Sequence, residues 1–236
     1  NVRCCGVGIF VLSPLAGKRD KRLAYSKTLV NYFGDSNMEI NKIKLALGVV
    51  VGMTVAMPMV AMAAADQEAA IKDANNWADP RGDYTNQAYS KLSQINKGNV
   101  KNLKAAWTFA TGVNRGHEGS PVVVGNMMYV HTAFPNNVYA LDLNDNQKIV
   151  WAYFPKQDPS VQAVLCCDNV NRGLGYGDGK IVLQQNDGML IALDAKTGAK
   201  VWDVRNTDPK VGATNTNAPQ IRKDKILTGC SGAEFG

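Results

Sequence analysis

Cys166 and Cys167 are adjacent in the sequence, and this spacing restricts the bonds that their sulfur atoms can form. Their Cα atoms lie about 3.8 Å apart across a trans peptide, below the usual disulfide range of about 4.4–6.8 Å. A bridge between them would be a strained, easily reduced ring that presents a rigid face of two sulfur atoms. Two reduced thiols are the alternative. A second adjacent pair, Cys4 and Cys5, shows that adjacency alone does not decide between them.

Other residue types could bind ligands, but taken singly they indicate little. Glu234 could offer carboxylate oxygens to a hard cation, although a single glutamate after a strand more often faces solvent. The dipeptide His117-Glu118 is more often an ordinary solvated turn. Any function must therefore come from several such residues held together by the fold.

Short β-forming runs separated by Gly, Asn and Asp predict that fold, since helical periodicity is nearly absent after Trp77. The expected strands are 105–110, 127–132, 138–141, 149–153, 181–185, 190–193, 200–204 and 225–228. Strands this short and evenly spaced favour a sandwich, a barrel or a propeller.

An internal repeat decides among these architectures. Residues 139–151 and 191–202 share the pattern A-L-D, a polar turn, and a second strand that ends in tryptophan. A period of roughly 50 residues with four strands per repeat indicates the blades of an all-β propeller. One blade cannot bury its own faces, so the ring must close.

The repeats resemble the tryptophan docking motif of the quinoprotein alcohol dehydrogenases, which use pyrroloquinoline quinone (PQQ). The resemblance implies an eight-bladed propeller, of which residues 66–236 would form about two and a half blades. It also implies that Trp107, Trp151 and Trp202 pack between blades.

Four motifs in family order strengthen the resemblance to PQQ-dependent methanol and ethanol dehydrogenases. They are R-G-H-E-G-S-P at 115–121, A-V-L-C-C-D-N-V-N-R-G at 163–173, T-N-T-N-A-P at 214–219 and G-C-S-G-A-E-F-G at 229–236. The resemblance implies that Cys166 and Cys167 form a disulfide that stacks on the quinone, and that Arg172 contacts its polar edge. The further PQQ contacts that it implies are Glu118, Thr216, Ser231, Gly232 and Ala233. Glu234 would bind the metal ion.

The implied function is hydride transfer from an alcohol, methanol in the first instance, to the quinone, with electrons passed to a c-type cytochrome. Residues 158–164 and 206–219 are similar to the lanthanide-dependent, XoxF-type branch, so the implied metal is a lanthanide, with calcium as the alternative. The implied state is a periplasmic homodimer. The catalytic base and remaining metal ligands are expected after residue 236, so no catalytic residue is assigned. The chain is expected to be an N-terminal fragment, inactive alone.

Two other functions fit the repeats. One is a PQQ dehydrogenase for another substrate, such as ethanol or a sugar. The other is a non-catalytic propeller scaffold of the outer-membrane assembly type. A scaffold would have no need for the cysteine pair, Arg172 and the S-G-A-E motif together.

Charge distribution argues against nucleic acid as a partner. The 236 residues are 45% hydrophobic and carry a formal net charge of +6, which suggests a basic protein. Residues 1–65 hold +5 of this and residues 66–236 only +1. Electrostatic binding to nucleic acid requires a basic face on the folded domain itself.

Most of the net positive charge lies in the N-terminal leader, residues 1–65. Residues 38–65 combine a positive start, an apolar run of about 16 residues and a small-residue end, which predicts a cleaved secretory signal peptide. A membrane anchor is the alternative, but the run is shorter than the roughly 20 residues needed to span. Residues 1–37, which precede Met38, are expected to be an over-read, unstructured upstream segment.

Overall fold

The computed structural model describes residues 10–12, 66–165 and 167–232. Residues 66–72 are helical, and short 3-10 helices lie at Val100–Asn102, Pro159–Val164 and Pro209–Val211. The strands are β1 (Phe10–Leu12), β2 (Val122–Val124), β3 (Met127–His131), β4 (Val138–Asp142), β5 (Lys148–Tyr153), β6 (Leu174–Gly177), β7 (Lys180–Gln184), β8 (Met189–Asp194), β9 (Lys200–Arg205), β10 (Ala213–Thr214), β11 (Gln220–Arg222), β12 (Lys225–Thr228) and β13 (Ser231–Gly232). Within these ranges no helix has the length and apolar character needed to cross a membrane.

The strands form propeller blades. Strands β2 to β5 make one antiparallel sheet in chain order, and β6 to β9 make the next. A third sheet contains β11 and β12, with β1 on the far side of β12, while β10 pairs with β13. The predicted all-β propeller is confirmed, and the described residues form two four-stranded blades and part of a third.

The sequence repeat corresponds to the third and fourth strands of each blade. Ala140 lies opposite Trp151 in the first blade, and Ala192 lies opposite Trp202 in the second. The register shifts directly after each alanine, so both hairpins carry an irregularity at the same place. The two repeats are therefore one structural unit used twice.

Trp151 joins the first blade to the second. Its indole is 8% exposed, and its Nε1 donates a hydrogen bond of 3.0 Å to the Ala195 carbonyl in the turn between β8 and β9. The Tyr129 hydroxyl donates to the same carbonyl at 3.1 Å. Trp202 packs on a second apolar cluster that includes Ile221 of the third sheet. Both residues take the predicted place between blades, whereas Trp107 is 41% exposed.

Two segments differ from expectation, and strands β2, β6, β10, β11 and β13 have no counterpart among the expected strands. Residues 105–110 have no regular secondary structure, because no described segment supplies the hydrogen-bonding neighbour that a strand requires. Strand β1 falls within residues 1–37, for which no structure was expected, and pairs with β12 over three residues. The rest of 1–37 and the predicted signal peptide, 38–65, lie outside the described residues.

Candidate cofactor site

Arg172 is the centre of the candidate site. It lies five residues after Cys167 and is separated from the start of β6 only by Gly173. Its Nε lies 3.2 Å from Oε2 of Glu118, in the loop before β2. Its Nη1 donates to the Thr216 hydroxyl at 3.0 Å, and its main-chain N–H donates to the Thr216 carbonyl at 3.1 Å. Three of the predicted site residues, distant in sequence, thus meet at one point.

The cysteine loop lies beside this cluster. Cys167 and Asp168 both adopt left-handed backbone conformations, with φ of 66° and 63°, which turn the chain sharply before Arg172. Arg115, three residues before Glu118, lies 3.8 Å from Asp168 and brings the two loops together. Cys166 lies outside the described residues, so its bridge to Cys167 stays a prediction.

The last predicted contacts are carried by the short β10–β13 pair. Ser231 lies opposite Thr214, and their hydroxyl oxygens are 3.3 Å apart. Gly232 has φ of 103°, and a methyl group there would overlap the Gly212 carbonyl oxygen, so only glycine fits. Ser231 is thereby held beside the strand that leads to Thr216. Ala233 and Glu234 lie outside the described residues.

Each of the three residues before Arg172 is hydrogen-bonded to one of the two complete blades. The Asn169 carbonyl accepts from the Phe134 N–H at 2.8 Å, and the Val170 carbonyl accepts from the Asn186 side chain at 3.1 Å. The Asn171 side chain donates to the Gln184 carbonyl at 2.7 Å. The backbone that carries Arg172 is therefore fixed by both complete blades. We call residues 169–172 the strap.

His131 is a buried residue of the site that sequence reasoning missed. It lies at the end of β3 and is 5% exposed, and its Nε2 is 3.0 Å from the Asn171 carbonyl oxygen. Burial lowers the pKa of this imidazole from 6.5 to about 4. The hydrogen bond to Asn171 opposes the change and the charge of His117 adds to it. The ring is uncharged at neutral pH, and because a carbonyl only accepts, its Nε2 carries the proton.

We expect this histidine to make folding pH-dependent. Its folded-state pKa lies below its unfolded value, so the unfolded chain binds the proton more readily, and stability falls as pH drops from about 6.5 to 4. The loss should be roughly 3 kcal/mol. Unfolding free energies of wild type and His131→Gln, measured from pH 7 to 4, should converge by that amount. Parallel curves would show that the imidazole is not buried in this way.

The donor set of the cluster fits a planar polycarboxylate such as PQQ. Arg172 and Glu118 side chains are 43% and 46% exposed, so the pair faces solvent. Nη2 of Arg172 has no hydrogen-bond partner within the described residues, and the Thr216 hydroxyl can donate while it accepts from Nη1. A guanidinium fork and hydroxyl donors suit carboxylates. Within the same residues, no three His, Cys, Asp or Glu side chains are grouped as a metal site.

Comparison with known proteins agrees with this geometry. The PQQ family profile "Glucose/ethanol/alcohol dehydrogenase, beta-propeller domain" matches residues 77–226. Over 195 residues the chain is 57% identical to the lanthanide-dependent methanol dehydrogenase of Methylorubrum extorquens, a match that covers 81% of this chain and 31% of that protein. Over 171 residues it is 54% identical to methanol dehydrogenase (cytochrome c) subunit 1 of Methylobacterium organophilum, covering 70% and 27%.

A solved structure supports the same relationship. The chain superposes on a europium-containing methanol dehydrogenase with a TM-score of 0.70 and 48% identity, over 72% of this chain and 30% of that one. The chain therefore spans about a third of the length of the relatives it matches. Profile, sequence and structure agree on the family that the four motifs predict, and the chain belongs to the PQQ β-propeller family of glucose, ethanol and alcohol dehydrogenases.

Proposed function

We propose that this chain supplies the cofactor-binding blades of a PQQ-dependent alcohol dehydrogenase that oxidises methanol. The observation that carries the proposal is the convergence of Glu118, Arg172 and Thr216 beside the loop that contains Cys167. The names of the relatives, methanol dehydrogenases among them, support the substrate class. A related enzyme for ethanol or another alcohol would use the same binding cluster.

In this proposal the chain binds and orients the cofactor. Arg172 would pair with a carboxylate of PQQ through Nη2, while Glu118 and Thr216 hold the other guanidinium nitrogens. The hydroxyls of Thr216 and Ser231 would donate to the polar rim of PQQ, and the backbone of Gly232 would allow close approach. A Cys166–Cys167 disulfide would cover one face of the ring and exclude water from it. When bound, PQQ supplies the hydride acceptor for alcohol oxidation.

A lanthanide ion bound in part by Glu234 is the proposed metal, with calcium as the alternative. A hard cation binds oxygen ligands such as the carboxylate of Glu234. If it is held there beside a carbonyl oxygen of the quinone, the ion would act as a Lewis acid on that carbonyl. The lanthanide-dependent relative from Methylorubrum extorquens and the europium-containing structure support this choice.

We propose further that the protein works in the periplasm as a homodimer and passes electrons to a c-type cytochrome. The relative named for cytochrome c supports the acceptor. Export would depend on residues 38–65 as a Sec-type signal peptide. The near-neutral charge of residues 66–236 argues against nucleic acid as a partner.

Further blades are part of the proposal. The indole N–H of Trp202 is buried and has no hydrogen-bond partner among the described residues, whereas that of Trp151 donates to the next blade. A buried donor is normally satisfied. A following blade that presents a carbonyl equivalent to that of Ala195 would satisfy Trp202 in the same way, as the length of the relatives also suggests.

The decisive experiment is reconstitution of the full-length protein with PQQ and either lanthanum or calcium. Methanol should then reduce the bound cofactor, seen by its absorbance, and sustain reduction of an artificial electron acceptor. Ethanol and glucose, tested in parallel, establish the substrate range. A protein that binds PQQ but oxidises no alcohol would have another substrate, and a protein that does not bind PQQ would be a scaffold.

The cysteine bridge gives a prediction of its own. A Cys166–Cys167 bond removes two hydrogen atoms from the mass of the unreduced protein, and both residues should map to one peptide that resists alkylation. Cys167→Ser should leave Cys166 as a thiol that can be alkylated. Two alkylatable thiols in native, air-exposed wild type would contradict the bridge.

A further inference from the structure

His131 links the first blade to the residue that precedes Arg172. The imidazole belongs to β3, is buried, and donates from Nε2 to the Asn171 carbonyl over 3.0 Å. This is the one side-chain donor from the first blade that holds the strap within the described residues; the Phe134 contact is a main-chain N–H. The position of Arg172 therefore depends on where this ring lies.

Gly119 connects the same ring to Glu118. A methyl group on Gly119 would overlap atoms Cε1 and Nε2 of His131 and would lie 2.9 Å from the carbonyl carbon of Arg172. The glycine backbone, the imidazole and the Arg172 backbone are thus in mutual contact. Since packed interiors do not compress, the ring sets the separation of the two backbones that carry the ion pair.

We propose that His131 is a positioning residue of the cofactor site, which holds Glu118 and Arg172 at the separation that presents the guanidinium to PQQ. The proposal rests on the proposed function. His131 does not reach the solvent-facing side of the pair, so it acts through Asn171 on one side and through Gly119 on the other. An apolar side chain such as leucine would replace the flat ring beside Gly119 with a branched group and would leave the buried Asn171 carbonyl without its donor.

The test measures PQQ affinity in the full-length protein for His131→Leu, His131→Gln and Gly119→Ala. We expect the dissociation constant to rise about tenfold in His131→Leu. His131→Gln, which retains an amide donor, should recover part of the loss. Gly119→Ala displaces the ring from the other side and should match His131→Leu. Tyr129→Phe, which removes another buried hydrogen bond of β3 to the neighbouring blade, is the control and should leave the dissociation constant unchanged.

A double-mutant cycle separates positioning from general stability. If His131 acts through Arg172, the combined loss in His131→Leu/Arg172→Lys will be smaller than the product of the two fold-changes. Multiplicative losses, or an unchanged affinity in His131→Leu, would overturn the proposal. A crystal structure of the cofactor-free His131→Leu protein should show the Arg172–Glu118 contact broken, and an intact contact would also overturn it. Failure of wild type to bind PQQ would instead reject the proposed function.

Discussion

Arg172→Lys should weaken the binding of PQQ to the full-length protein about 100-fold. The lysine keeps the positive charge but cannot contact Glu118, Thr216 and a ligand together, because an ammonium lacks the planar fork of a guanidinium. With the contacts to Glu118 and Thr216 gone, nothing orients the charged group toward the ligand, and the charge-assisted hydrogen bond of Nη2 to a PQQ carboxylate is lost. At up to about 3 kcal/mol for a hydrogen bond to a charged group, this corresponds to roughly 100-fold in affinity. A titration of the cofactor-free protein followed by PQQ absorbance measures the change.

Arg205→Lys is the matched control for this experiment. The Arg205 guanidinium also donates to neighbouring oxygens, the carbonyls of Asp187 and Thr207, but it lies on β9 away from the cluster. Its replacement should lower stability slightly and leave PQQ affinity unchanged. Equal losses of affinity in both variants would mean that the effect is one of general stability. No loss in Arg172→Lys would remove Arg172 from the binding site.

The repeated hairpin was predictable because each blade carries its own pattern. Ala140 and Ala192 face their tryptophans across the strand pair, and the apolar residues that flank them are buried. A pattern that recurs after about 50 residues shows the blade without knowledge of its neighbours. The architecture followed from the sequence for this reason.

Strand β6 could not be predicted in this way. Gly175 and Gly177 interrupt its apolar pattern, and glycine in a strand normally indicates a weak point. In the structure, a methyl group on Gly175 would lie 2.8 Å from the Pro219 carbonyl, and one on Gly177 would lie 2.8 Å from a methyl of Ile221. The glycines allow the third sheet to approach the second. Glycine is required at these two positions because of a contact with another blade, and a local sequence pattern cannot show that contact.

The residues of the candidate site also fall into two groups: those that the sequence identifies and those that only the fold reveals. Glu118, Arg172 and Thr216 stand in contiguous motifs, so resemblance to a known family could identify them from the sequence alone. His131 and Asn186 stand in β3 and the turn after β7, where a single polar residue looks like any exposed strand or turn position. Only the fold brings their side chains to the strap. Residues that support a site through another blade leave little trace in the local sequence.

The second large effect is expected at Gly198, where the turn between β8 and β9 meets Trp151. Gly198 has φ of 71°, and a methyl group on it would lie 2.6 Å from Cδ2 and 2.7 Å from Cε3 of the indole. Alanine would therefore force the ring away from the turn and break its hydrogen bond to Ala195. Overpacking of this kind costs about 2 kcal/mol, and the left-handed conformation adds about 1 kcal/mol for a residue with a Cβ.

Gly179→Ala separates these two contributions. Gly179 has φ of 60° in the turn between β6 and β7, and a methyl group there would meet no atom within 4 Å. Gly179→Ala should lower the free energy of unfolding by only roughly 1 kcal/mol, because it adds backbone strain alone. Gly198→Ala should lower it by about 3 kcal/mol. Denaturant unfolding of both variants in the full-length protein measures the difference. Similar losses of unfolding free energy would mean that Trp151 moves aside at little cost, so that the indole does not hold the blades together. A difference of about 2 kcal/mol assigns that role to the contact between Trp151 and Gly198.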